Sequence, residues 1–166
     1  MAKNRKPVPA QVDPPSNAAL QAFFLHFFTN LNLAAVALEA LGSMGFTMTK
    51  YRILGIVTWT PGITVGELVK TLRVTHQNLN TPMRNLLSDG YITAEIGTDD
   101  RRRKQLYPTE KGERLYREVL ALQLRRIDRA FELAGPQATE GFLEVHRHLI
   151  EAADIEWLSR LSEEAP

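Results

Sequence analysis

The chain has 166 residues, 44% of them apolar, with 20 Lys and Arg against 19 Asp and Glu for a net charge of +1, and no cysteine. That length builds one core with room for appended helices but not for a second full domain, and the charge balance excludes a polyelectrolyte that coats nucleic acid over its whole surface. The missing thiol excludes disulfides, thiolate nucleophiles, thiol-based oxidant sensing and Cys-ligated zinc.

Residues 1–16 mix Lys3, Arg5 and Lys6 with prolines and small polar groups, a composition whose burial cannot repay its ordering, and are expected to form a mobile arm. Pro7, Pro9, Pro14 and Pro15 also deny it a signal-peptide core, and no uninterrupted apolar run approaches the roughly 20 residues that cross a bilayer. The expectation is a cytoplasmic protein with no membrane partner. From Asn17 to Leu41 there is neither Gly nor Pro, and Leu20, Phe23, Phe24, Phe27, Phe28, Leu31, Ala34, Ala35, Leu38 and Leu41 give a helix an apolar surface too wide for one face of a monomer. His26 and Asn30 interrupt it, as interface or core hydrogen-bonding groups or as ligand contacts; Gly42 and Gly45 end it.

Thr47 or Thr49 can cap the next helix, which carries Tyr51, Leu54, Ile56, Val57 and Trp59 and stops at Thr60-Pro61-Gly62. Thr64 and Glu67 are spaced as a capping box and start a short helix through Leu72. Thr75 caps another only a few residues later, so a tight turn at Arg73 and Val74 joins two short helices in a helix-turn-helix pattern. In the second helix Leu79, Met83, Leu86 and Leu87 are the core positions. Thr75, His76, Gln77, Asn78, Asn80, Thr81 and Arg84 supply side chains able to address base edges or phosphates: Asn and Gln pair bidentately with adenine, Arg with guanine. No acidic residue lies between Thr75 and Ser88. Pro82 removes one helical hydrogen bond and crowds the preceding turn, so a bend or irregularity is expected there.

Tyr91 to Ile96 alternates as a half-buried strand does, and Gln105 to Tyr107 is the returning strand, kept short by Pro108. The connection holds Asp99 and Asp100, then Arg101, Arg102, Arg103 and Lys104. A charge run is ordinarily a solvated loop. At a hairpin tip that follows a recognition-type helix, its cations are placed to reach phosphates or a narrow minor groove, with Asp100 orienting an arginine. Thr109 to Ala134 reads as a helix striped with Tyr116, Leu120, Ile127, Phe131 and Ala134, and Gly135-Pro136 breaks it. A last helix near Ala138 to Leu161 carries Phe142, Val145, Leu149, Ala153, Trp157 and Leu161. The outer helices offer more apolar surface than so small a lobe buries, which predicts a symmetric homodimer.

The order of elements, with L-R-V-T-H-Q-N-L at the recognition helix, L-L-S-D-G-Y-I behind it, D-D-R-R-R-K in the wing and T-E-K-G opening the next helix, resembles the MarR family of bacterial transcription regulators over roughly Leu20 to Leu161. The resemblance implies a mainly α fold with a small β-wing: a winged helix-turn-helix lobe over 47–108, and dimerisation helices over 17–46 and 109–166. It implies Thr75, His76, Gln77, Asn78, Asn80, Thr81 and Arg84 on the recognition helix and Asp100 and Arg102 on the wing, with paired helices entering successive major grooves of a pseudo-palindromic operator. It further implies a small anionic or aromatic effector between lobe and platform, for which His26, Tyr51 and Arg52 are the candidates by element, and no cofactor. Pro82 and Pro108 depart from the family pattern.

An enzyme lacks any support in the sequence: there is no phosphate-cradling Gly-rich loop and no nucleophile elbow. A metal-responsive regulator would rest on His26, His146 and His148, but residues two apart on a helix point roughly 200° from one another, so His146 and His148 cannot clamp one ion. A winged helix serving only protein interactions has no use for a four-cation wing tip.

Overall fold

The computed structural model describes residues 16–96 and 104–164. Helix α1 spans Asn17–Leu41, and the hydroxyl of Ser16, expected to belong to the mobile arm of 1–16, instead accepts the Ala19 N–H at 3.1 Å and caps it; residues 1–15 lie outside the described residues. Gly42 turns the chain at φ 42 into a single 3-10 turn, and Gly45 closes it in left-handed backbone. Helices α2 (Met48–Trp59), α3 (Val65–Leu72) and α4 (His76–Ser88) follow, with a two-residue strand β1 (Ile63–Thr64) before α3. Strands β2 (Ile92–Ile96) and β3 (Lys104–Pro108) make a hairpin, and β3 is the central strand: Leu106 pairs with Ile63 on one side and Ala94 on the other. Pro108 is tolerated because β1 pairs only with Leu106 and Gln105 and does not reach it.

One buried cluster joins the end of α1 (Ala37, Leu41) to Ile53, Leu54 and Val57 of α2, Leu68 of α3, Leu79 and Leu86 of α4, Ile92 and Leu106 of the sheet and Val119 of α5 (Glu110–Ala134). The periodic positions of the helix-turn-helix therefore point inward as the sequence indicates. Leu87 is the exception among the expected core positions, at 36% exposed, because α4 needs only the stripe of Leu79, Met83 and Leu86 against the lobe. The alternation in β2 also does not translate into half-burial. Only Ile92 is buried, and Thr93 to Ile96 are exposed.

The C-terminal region differs from a single helix over Ala138 to Leu161. It forms α6 (Pro136–Leu149) and α7 (Ala152–Glu164), separated at Ile150, whose φ of −93° and ψ of 156° are extended. No Gly or Pro marks this break, so apolar periodicity runs through it unaltered. Helix α1 also corrects the membrane reading: at 25 residues it is long and apolar enough to cross a bilayer on length and composition alone. Its packing points elsewhere. Ala37 and Leu41 are buried in the lobe's core, and Gln123 Nε2 of α5 donates to the Leu33 carbonyl at 2.9 Å. Phe23, Phe24, Phe27, Phe28 and Leu31 of α1, with Leu133 and Leu149 of α5 and α6, leave a broad apolar face in solvent.

Candidate nucleic-acid interface

The interface is built from caps and a turn. Thr64 Oγ1 accepts the Glu67 N–H at 3.3 Å while the Thr64 N–H donates to Glu67 Oε2 at 2.9 Å, a complete capping box that fixes the start of α3. Arg73 then takes left-handed backbone, φ 51, the one non-Gly positive φ among the described residues, and reverses the chain between α3 and α4. Thr75 Oγ1 accepts the Asn78 N–H at 3.3 Å and starts α4. With Leu79 and Leu86 fully buried, the opposite surface of α4 is forced outward: Thr75, His76, Gln77, Asn78, Asn80, Thr81 and Arg84 are all exposed. The helix runs from His76 to Ser88 with Pro82 inside it, so the expected irregularity does not interrupt it. Its first turn has no acidic residue, and the unpaired N–H groups there present partial positive charge to whatever approaches.

Behind α4, the T-E-K-G segment acts as a fastener. The Thr109 hydroxyl lies 2.8 Å from the Gly90 carbonyl and 3.2 Å from that of Tyr91, and it accepts the Gly112 N–H at 3.1 Å. Lys111 Nζ donates to the Asp89 carbonyl at 2.8 Å, 4.1 Å from the centre of the Tyr91 ring. Gly112 passes so close to the Tyr91 carbonyl that a Cβ would collide with backbone. The end of the recognition helix is thus locked to the start of α5. Of the wing residues, Lys104 is described, exposed at the start of β3 opposite Ile96. Asp99, Asp100, Arg101, Arg102 and Arg103 lie outside the described residues.

The three effector candidates do not converge. Tyr51 and Arg52 line a cavity of about 330 Å³ between α1, α2, α5 and α7, with Asn30, Trp59, Tyr116 and Trp157. His26 lines a different, apolar cavity of about 510 Å³ between α1 and α6; Asn30 and Leu33 border both. His26 lies one turn N-terminal to Asn30 on the same face of α1, and the two cavities follow one another along that helix. Within the first cavity the polar groups are ordered: Tyr51 OH donates to Gln123 Oε1 at 2.7 Å, and Trp59 Nε1 donates to Tyr116 OH at 3.0 Å. Burial pushes both phenols above their ordinary range, reinforced at Tyr51 by the neighbouring Tyr116, so both are neutral at physiological pH. Arg52 stands exposed at the rim as the cation. Tyr116, Trp59 and Gln123 are cavity groups that sequence reading missed. Their apolar and polar helix positions carry no sign of the cavity they share.

His26 and His146 face each other across α1 and α6 with ring centres 5.8 Å apart, while His148 Nε2 sits 3.0 Å from Glu144 Oε1. Among the described residues no three His, Cys, Asp or Glu side chains group to hold a metal ion.

Residues 44–103, the helix-turn-helix and the outgoing wing strand, match the family model described as MarR family. The HTH-type transcriptional regulator PetP of Rhodobacter capsulatus is 34% identical over 127 residues, 76% of this chain and 76% of its own length. Among solved structures, Streptococcus pneumoniae FabT in complex with DNA superposes with a TM-score of 0.66 at 20% identity, covering 80% of this chain and 96% of FabT. NadR in complex with 4-hydroxyphenylacetate gives a TM-score of 0.66 at 20% identity, over 86% of this chain and 97% of NadR.

Proposed function

This chain belongs to the MarR family of winged helix-turn-helix transcription regulators, DNA-binding proteins and not enzymes, and we propose that within it the protein is a cytoplasmic, homodimeric repressor of a pseudo-palindromic operator. The observation that carries the reading is the outward surface of α4, where seven polar or cationic residues from Thr75 to Arg84 are exposed over a base of buried Leu79 and Leu86. In the proposal Gln77, Asn80 and Arg84 read base edges and Thr75, His76, Asn78 and Thr81 serve phosphates or neighbouring bases. Lys104, with Arg101, Arg102 and Arg103, carries the wing's charge to the adjoining groove, and Asp100 orients an arginine there. Dimerisation is supported by the apolar side chains of α1, α5 and α6 that stay exposed among the described residues.

An aromatic anion is the proposed effector. The cavity around Tyr51 has four aromatic rings, amide groups at Asn30 and Gln123 and the Arg52 cation at its edge, a set suited to a ring bearing a carboxylate. Such a ligand shifts the spacing of lobe and platform only by its differential affinity for two arrangements. His26, lining the second cavity, has no part in this reading. Fluorescence anisotropy on the DNA upstream of the protein's own gene, with and without a panel of aromatic carboxylates, tests both halves. The account expects saturable binding that the effective carboxylate weakens; binding that is identical on every duplex tested would contradict sequence-specific regulation. A promoter reporter distinguishes repression from activation.

A further inference from the structure

Arg73 occupies the turn of the helix-turn-helix, two residues before the Thr75 cap of the recognition helix. A cation there, beside a helix N-terminus free of acids, stands where a backbone phosphate comes when the helix enters a groove. The structure shows it engaged elsewhere. Arg73 Nη2 donates to Asp154 Oδ2 at 2.8 Å and lies 3.3 Å from Glu151 Oε2, two carboxylates at the start of α7. A second tie holds the same helix to the lobe: Trp157 Nε1 donates to Thr60 Oγ1 at the end of α2, 3.2 Å away. The break at Ile150 is what allows this, since a helix continuing straight from α6 would not turn back to the α3–α4 corner.

We propose that Arg73 is a DNA-backbone contact and that Glu151 and Asp154 compete with phosphate for it, so that α7 is an acidic latch on the reading lobe which DNA must displace. The inference rests on the DNA-binding reading above. Two carboxylates bring two negative charges to one guanidinium, against the single charge of a backbone phosphate, and arginine accepts either chemistry. The pairing is exposed, 57% at Arg73 and 33% at Asp154, and an ion pair in solvent is weak enough to exchange reversibly. The latch also reaches the aromatic cavity. Trp157 of α7 and Leu72, next to Arg73, both line it, so a molecule seated there bears on the latch's own helix. The ordinary role of acids at a helix start, complementing the N-terminal dipole, is the competing explanation for Glu151 and Asp154.

The test is a mutant cycle on random-sequence duplex DNA, where phosphate contacts are read without knowledge of the operator. The proteins are the wild type, Glu151→Gln/Asp154→Gln, Arg73→Gln and the triple variant. Arg73 and Glu151 are exposed and Asp154 is half-buried. The proposal expects the double variant to bind about two- to fivefold more tightly than wild type at low salt. The same carboxylate changes should gain less in the Arg73→Gln background, and loss of Arg73 from the unlatched protein should lower the salt slope by roughly one. An equal gain in both backgrounds assigns the effect to net charge alone and overturns the latch, as does no gain or a loss. A wild type that binds no duplex at any salt overturns the DNA-binding reading itself, so the two failures are told apart by the first curve.

Discussion

At Gly112 the absence of a side chain is a packing requirement. The residue lies against the Tyr91 carbonyl while its N–H is held by Thr109, so an added Cβ would collide with the Tyr91 backbone and crowd the buried Leu54 side chain. Gly112→Ala is expected to cost on the order of 1 to 3 kcal/mol by overpacking, read as a fall in urea midpoint; an unchanged midpoint would show that the fastener between α4 and α5 yields freely. Gln77 and Asn80 carry a different kind of burden. Replacing either with Ala is expected to cost on the order of 1 to 3 kcal/mol on the operator and little on random duplex, and equal losses on the two would remove base reading from α4. Tyr51 and Tyr116 set an alkaline limit. Both are neutral in the fold and raised by burial, so the folded state holds its protons longer than the unfolded chain. Their contribution to stability is then flat through neutral pH and falls as pH rises past the ordinary phenol value near 10. Tyr51→Phe should flatten that decline above pH 10, measured by thermal melting, and an unaltered alkaline slope would count against burial as the cause.

Elements with local punctuation were legible in the chain. Helix α1 ends at Leu41 because Gly42 stops it, and the Thr64–Glu67 box and Thr75 mark the starts of the two helices of the motif, whereas the Ser16 cap of α1 was hidden in a stretch that reads as a mobile arm. Where an element is set by distant contacts, the residues gave no sign. Strand β1 is two residues long and exists by pairing with Leu106 and Gln105, and the break between α6 and α7 occurs at Ile150 with no helix breaker nearby. The cavity was half legible for a similar reason: Tyr51 and Arg52 lie on one helix at adjacent positions, but His26 belongs to another space, which helix order alone does not reveal. The caps themselves are testable. Thr75→Ala removes the acceptor for the Asn78 N–H and is expected to lower stability by about 0.5 to 2 kcal/mol. It should also weaken operator binding, because the proposed mode of binding places the first turn of α4 against DNA. Loss of stability with full binding would mean that DNA re-forms the turn.

For the whole molecule the governing asymmetry is between a well-buried lobe and a platform left open. Leu41, Leu54, Leu79, Leu86 and Leu106 are sealed from solvent, whereas the phenylalanines of α1 are about half exposed or more, Phe23 reaching 64%. A second copy covering that surface would place two recognition helices on one side of the particle, and their separation would then be a property of the platform. Substituting Phe23 and Phe27 with Ser should therefore convert the protein to a monomer in light scattering at micromolar concentration and reduce operator affinity while the lobe stays folded; a monomeric wild type would reverse the argument. The most direct measurement of the paired-probe account is a hydroxyl-radical footprint on the DNA upstream of the protein's own gene. The account predicts two protected half-sites centred about one helical turn, roughly 10 base pairs, apart. A single protected site, or no protection even in dilute salt, would contradict it.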